Sequence, residues 1–235
     1  TEYPARYDPG RVGEARAAMF SAMLDRVARL KPAARVLDIG CGGGQLLQSA
    51  TSPEWSPFGV DLSRDACAVS AASGVPAVQA DAAALPQRDA CMDVVFLLNI
   101  LDHAADPFRV IREARRVLAP GGLLVIRVPN AAFHRAWVRG WSARGLRARW
   151  RGWDRLPMLH LYAFPAAGLR RLARRGGFHV LEVRNSALAA DAGDGGPLIR
   201  LLQRTLVGGA RALERLSGKR ILAGPSIELV ARRPG

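Results

Sequence analysis

The 235-residue sequence holds only three cysteines, Cys41, Cys67 and Cys91, and no CxxC pair. A dispersed, odd-numbered set builds neither a disulfide framework nor a zinc knuckle, and it suits a reducing compartment. Long apolar runs are also missing. The longest, VVFLLNIL at 94–101, is broken by Asn99 and is strand-length, far short of the ~18 residues that cross a bilayer. The first residues, TEYPARYDPGR, carry no apolar h-region, so no signal peptide is expected. No G-K-[ST] follows a glycine loop, which excludes a P-loop for a triphosphate. The expectation is a cytoplasmic protein.

Acids are scarce in one half only. Residues 1–130 hold 14 Lys+Arg against 14 Asp+Glu, whereas residues 131–235 hold 20 against 6, so the whole net charge of +14 lies there. A preference for arginine over lysine does not explain the missing acids. The length suits one α/β domain with a cap, large enough to bury roughly 70% of its unfolded surface without disulfides or a structural metal.

What is present alternates. Residues 11–30 place Ala15, Met19, Met23, Val27 and Leu30 at helical spacing. RVLDIG then reads as a strand, Gln45–Ala50 as a short helix, PFGVD as a second strand and Ser63–Ser73 as a serine-capped helix. PAVQAD is the third strand, and DVVFLLN the fourth, apolar throughout as a strand buried on both faces should be. Asp106 caps the next helix, with Pro107 in its first turn and Pro120-Gly121-Gly122 as its expected end. LLVIRVP is strand five. A helix at 165–175, the strand FHVLEV, a helix at 198–216 and the strand SIELVAR complete the chain. This rhythm predicts a parallel, doubly wound α/β sheet with ligands at the carboxyl ends of its strands.

The stretch VLDIGCGGG, 36–44, gives up its side chains to bring backbone near a ligand. Gly40, Gly42 and Gly44 make G-x-G-x-G, and the third glycine of the dinucleotide fingerprint would fall on Gln45. Asp38, two residues before the loop, would repel a pyrophosphate on the helix N-terminus and suits a cationic ligand. Asp61, 17 residues after Gly44, stands where an acid takes ribose hydroxyls, and Asp81 ends the third strand within reach of an adenine amino group. Three acids at successive strand ends suit a neutral or cationic adenosyl ligand.

VLDIGCGGG, WSPFGVDLS, QADAAALP, DVVFLLNILDHAADP and RVLAPGGLLVIRVPN resemble the consecutive motifs of class I S-adenosylmethionine-dependent methyltransferases, in the group that includes ubiquinone-biosynthesis and other small-molecule enzymes. The ordered motifs cover residues 35–130, with weaker similarity towards 184. The resemblance implies a Rossmann-like seven-stranded sheet of order 3-2-1-4-5-7-6, strand seven antiparallel, with a helical basic cap. It implies S-adenosylmethionine as cofactor, with Gly40, Cys41 and Gly42 at the methionine end, Asp61 at the ribose, Leu62 on the adenine face and Asp81 with Ala82 at the adenine edge. Leu98 and Asn99 would flank the sulfonium, and Tyr7 would fold over the cofactor. Asp102-His103 stands where the family commonly has Glu-His. The implied division is an N-terminal helical segment at 1–34, the cofactor-binding core at 35–130, an Arg/Trp-rich substrate cap at 131–163 and the remainder of the fold at 164–235.

Methyl transfer from a sulfonium needs alignment, exclusion of water and, for a phenol or alcohol, a base. His103, after strand four, is the first candidate base and His160, where the cap returns, the second. His134 has only its location, and His179 alternates along a strand. The stretch NILD lacks the prolines and tyrosine of the [DN]PPY motif of base-amine methyltransferases, and Cys91 precedes strand four, which argues against pyrimidine C5 chemistry. No metal is expected. Residues 133–155 contain seven arginines, four tryptophans and one acid. That mixture suits an anionic aromatic substrate held by Trp137, Arg139, Trp141 and Tyr162, a bilayer interface giving peripheral membrane contact, or single-stranded RNA. In the helix at 198–216, Arg200, Arg204, Arg211 and Arg215 form one arc and the leucines the other, with a kink or a break between two helices expected at Gly208-Gly209. The expected acceptor is a small hydrophobic or anionic molecule methylated at oxygen. An RNA acceptor, or a non-catalytic adenosyl- or membrane-binding role, is the alternative.

Overall fold

The computed structural model describes residues 9–49, 52–136, 161–186, 205, 208–210, 212–218 and 221–235. Seven strands form one sheet: β1 (Ala34–Ile39), β2 (Trp55–Asp61), β3 (Ala77–Gln79), β4 (Met92–Leu98), β5 (Leu118–Pro129), β6 (His179–Asn185) and β7 (Ser226–Arg232). Their order is β3-β2-β1-β4-β5-β7-β6, with β7 antiparallel to both neighbours and the other pairs parallel. The helices are α1 (Pro9–Ala28), α2 (Gln45–Gln48), α3 (Arg64–Ala72), α4 (Pro107–Val117) and α5 (Ala166–Arg175).

The apolar strands are continuous because helices cover both faces. On one face Leu37, Ile39, Val95, Leu97, Leu124 and Ile126 meet Ile111 of α4 and Leu169 of α5. On the other Val36, Val94, Phe96, Leu123 and Val125 meet Met19, Met23 and Val27 of α1 and Leu46 and Leu47 of α2. Each such fully buried side chain contributes about 1.5–3 kcal/mol, which fixes the strand ends that carry the site. Leu30, expected on the α1 stripe, falls after the helix and is 44% exposed.

The caps form as read. Ser63 Oγ accepts from the Ala66 N–H at 3.3 Å, and Asp106 Oδ1 accepts from Phe108 at 2.9 Å and Arg109 at 3.1 Å. Three elements differ from expectation. The helix before strand five ends at Val117 rather than at Pro120-Gly121-Gly122, because Leu118 is already extended and pairs with Met92. The glycine turn lies inside β5 as a register shift, its Gly121 N–H donating to Arg233. β3 stops at Gln79, so Asp81 sits in the turn beyond it. Near the C-terminus, 208–210 and 212–216 are helical, and the residues flanking Gly208-Gly209 at 206–207 lie outside the described residues. Leu213 and Leu216, expected on the packed face, are 40% and 87% exposed. The packed face carries Ala210 and Glu214 instead, whose oxygens both accept from Asn185 Nδ2.

Among the described residues no helix is long and apolar enough to cross a membrane. The cap segment from 137 to 160 lies outside them; 131–136 are helical.

Candidate active site

The carboxyl ends of β1, β2 and β4 meet at the loop after β1. The chain leaves β1 at Gly40, φ +79°, where a Cβ would collide with the Ile100 side chain. Only glycine fits so close an approach. Gly42, φ +52°, turns its N–H to Asp61 Oδ2 at 2.9 Å, and Asp61 Oδ1 accepts from Ser63 N–H at 2.9 Å. One carboxylate therefore ties the glycine loop to the start of α3. A carboxylate offers about four lone-pair sites, so acceptor capacity for a diol remains.

Asp38 lies below the loop, 4% exposed. Burial first, and then the charge of Asp61, push its carboxyl up to about 7. Cys41, buried beside both acids, is pushed up to about 12, chiefly by burial and next by the charge of Asp38, which makes it an inert thiol at neutral pH. Leu62 is 71% exposed next to Asp61. Asp81 is exposed, its Oδ1 accepting from Ala83 N–H at 2.8 Å, and Ala82 packs against the core.

Across the loop stands the end of β4. Leu98 is half-buried. Asn99 is exposed and left-handed, φ +57°, with its Oδ1 accepting from Arg127 Nη1 at 2.6 Å. Asp102 is fully buried, and its Oδ2 lies 3.3 Å from Nε2 of half-exposed His103. The Asp102 carbonyl accepts from Leu161 N–H at 2.9 Å and Tyr162 N–H at 3.2 Å, which returns the chain to this edge after the cap. Tyr162 is 42% exposed, its ring 6.2 Å from that of Phe164.

The fold thus gathers Asp38, Gly40, Cys41, Gly42, Asp61 and Leu62 at the first loop, with Asp81 and Ala82 on one flank and Leu98, Asn99, His103 and Tyr162 on the other. Tyr7, Trp137, Arg139, Trp141 and His160 lie outside the described residues. His134 is in the 131–136 helix, its ring edge-on to Phe133, and His179 is exposed on the outer strand. Sequence reasoning passed over Arg127. The signal was available: an arginine inside the apolar run LLVIRVP needs a buried partner. Cavities of about 840 and 1130 Å³ lie elsewhere, lined by Arg26, Arg170 and Leu181 in one case and by Arg109, Arg112 and Arg115 in the other. Neither touches Asp38, Asp61 or His103.

Comparison with known proteins identifies the arrangement. The family model described as a methyltransferase domain matches residues 13–183, well over half of the chain. The chain belongs to the methyltransferase-domain family. Its sheet order and glycine loop are those of the class I, S-adenosylmethionine-dependent branch. This methyltransferase domain is 37% identical over 116 residues to 27-O-demethylrifamycin SV methyltransferase of Amycolatopsis mediterranei, covering 44% of the chain and 43% of the relative. It is 39% identical over 95 residues to the ubiquinone biosynthesis O-methyltransferase of Paraburkholderia phymatum, covering 37% of the chain and 41% of the relative. Each match therefore spans about two-fifths of the curated relative's length. A crystal structure of an S-adenosylmethionine-dependent methyltransferase from Archaeoglobus fulgidus superimposes with a TM-score of 0.60 at 20% identity, covering 99% of this chain and all of that one.

The residues present fit S-adenosylmethionine. Asp38 is a buried carboxyl that a cation would draw into its ionised form. Among the described residues no group of three or more His, Cys, Asp or Glu could hold a metal ion.

Proposed function

We propose that this methyltransferase domain transfers a methyl group from S-adenosylmethionine to a small hydrophobic or anionic acceptor, with oxygen as the accepting atom. The observation that carries the reading is the buried Asp38 carboxyl near Asp61, beneath a glycine loop. Such a pair disfavours phosphate and favours an adenosyl ligand with positive charge at its methionine end.

When bound, the cofactor supplies a methyl group activated by its sulfonium. The chain's part is to bind, align and accept a proton. Asp38 and the backbone at Gly40–Gly42 hold the charged methionine end, Asp61 the ribose, Leu62 and Asp81 with Ala82 the adenine. His103 is the base. Nε2 lies 3.3 Å from the Asp102 carboxyl, and we assign the ring proton to it, which leaves Nδ1 to accept the proton of an acceptor hydroxyl. Tyr162, with Trp137, Arg139 and Trp141 of the cap, forms the acceptor pocket, and His160 is the second candidate base. The similarity to two enzymes whose names specify O-methylation supports oxygen.

The test is label transfer. The protein is incubated with methyl-labelled cofactor and a cell extract, and the products are split into solvent-extractable, nucleic-acid and protein fractions. Label in the extractable fraction is expected, on an alkali-stable ether. Nuclease-sensitive label would replace the small-molecule reading with an RNA acceptor held by the Arg/Trp segment.

A further inference from the structure

A line of polar side chains runs beneath α1. Arg127 on β5, 8% exposed, donates from Nη1 to Asn99 Oδ1 at 2.6 Å and from Nε to Ser186 Oγ at 2.9 Å. Ser186 Oγ donates to Glu228 Oε1 at 2.8 Å, and Glu228 Oε2 accepts from Arg26 Nη2 of α1 at 2.6 Å. Arg127 and Glu228 are register partners of β5 and β7. A buried charge held in such a polar network is on average no more stabilising than apolar residues of the same volume. Stability alone therefore gives no reason for a charge at Arg127, and its reach to Asn99 does.

A guanidinium can only donate hydrogen bonds, so Asn99 must present Oδ1 to it. That fixes which way the amide is turned, and its N–H2 lies on the far side of the group. The backbone is held as well, since the Asn99 N–H donates to the Arg127 carbonyl at 2.8 Å. Asn99 is exposed at the carboxyl end of β4, between the glycine loop and His103.

We propose that Arg127 is a positioning residue that turns the Asn99 amide N–H2 into the cleft, so that the site selects acceptors presenting oxygen and disfavours those presenting an amine nitrogen. The chemistry follows from lone pairs. A hydroxyl or phenolate oxygen can accept the Asn99 N–H with one lone pair and keep another for the methyl group. An amine nitrogen has a single lone pair, and the same hydrogen bond would occupy it. This rests on the function proposed above, because it assigns the acceptor class at that site.

The probe is ortho-aminophenol, which offers both atoms in one molecule. After incubation with methyl-labelled cofactor, the ratio of O-methyl to N-methyl product is read by mass spectrometry, and a ratio is insensitive to the fraction of folded enzyme. The wild type is expected to form the O-methyl product in excess. Asn99→Asp keeps an oxygen for Arg127 but puts an acceptor where the donor was, and should move the ratio towards nitrogen by about tenfold or more, the scale set by leaving a site's polar group mispaired. Arg127→Leu should move it the same way, or Arg127→Met, which also has no donor for Asn99 Oδ1, if the leucine variant does not fold. Excess N-methyl product in the wild type, or an unchanged ratio in both variants, overturns the proposal.

A second readout needs no turnover. In ¹⁵N spectra of the S-adenosylhomocysteine complex, the Asn99 side-chain pair, identified by its loss in Asn99→Asp, should shift in the Arg127 variant. A pair that does not move overturns the positioning role. If wild type methylates neither atom while that shift is seen, the proposed function fails and the Arg127–Asn99 assignment stands.

Discussion

Asp61 Oδ2 accepts the Gly42 backbone N–H at 2.9 Å, so the carboxylate that ends β2 also shapes the loop that ends β1. The proposed ligand site and the fold share one side chain. Asp61→Ala leaves the N–H groups of Gly42 and Ser63 without this acceptor and should cost about 1–3 kcal/mol in urea unfolding. It should also abolish the thermal shift given by S-adenosylhomocysteine, which at 100-fold excess over Kd is worth about 2.7 kcal/mol in the wild type. Asp61→Asn retains one acceptor and should fall between the two. A full shift in Asp61→Ala would remove Asp61 from the ribose site.

Asp38 should make cofactor affinity depend on pH. Its carboxyl is pushed from 3.8 up to about 7, first by burial and then by the charge of Asp61. Between those values the folded chain keeps a proton that the unfolded chain has lost. Its contribution to stability therefore falls as pH rises from about 4 to about 7, and is constant above. A cation bound beside it favours the ionised form, so binding releases the proton. The Kd for S-adenosylmethionine should drop by up to about tenfold per pH unit as pH approaches 7 and then level off. Isothermal titration over pH 5.5–8.5 reads this, and Asp38→Asn should flatten the profile. A flat profile in the wild type would dissociate Asp38 from the ligand's charge.

Gly44 and Gly74 separate two reasons for glycine. Both have φ near +80°, but a Cβ at Gly44 would lie 2.6 Å from the Oγ of buried Ser70, whereas at Gly74 it would meet nothing within 4 Å. Gly74→Ala should cost only the left-handed conformation, about 1–2 kcal/mol. Gly44→Ala should add the cost of overpacking, about 1–3 kcal/mol more. Equal losses in urea denaturation would show that the Ser70 contact yields without cost.

What could be read from sequence was what local chemistry determines. SIELVAR is a strand from Ser226 to Arg232 as its composition required, and Ser63 and Asp106 cap the helices that follow them. Asp61 could be placed because strand ends in this fold converge. Pro120-Gly121-Gly122 misled because a helix stop and a strand irregularity use the same residues, and only the pairing of Leu118 with Met92 separates them. Arg127 and Glu228 stand in separate apolar strands about a hundred residues apart, and their pairing follows from the β5–β7 register, which no local pattern encodes. The weight of Asp102 was hidden for another reason. Its carbonyl anchors the returning chain at Leu161 and Tyr162, a contact set by topology.

The 3.3 Å contact between Asp102 Oδ2 and His103 Nε2 allows base and support to be tested apart. His103→Gln should lower kcat for a hydroxyl acceptor by about 10²–10⁴-fold, the range for a positioned general base. The shift with S-adenosylhomocysteine should stay unchanged, since His103 is on the acceptor side of the loop. Asp102→Asn leaves the backbone carbonyl that accepts from Leu161 and Tyr162, so the chain's return should persist and only the carboxylate is removed. Its amide can hold the ring but cannot stabilise the protonated imidazole, so kcat should fall by less than in His103→Gln, with KM for the acceptor little changed. Wild-type turnover in His103→Gln would move the base to His160. Wild-type turnover in Asp102→Asn alone would leave Asp102 as an anchor for the chain and His103 as a base that works without it.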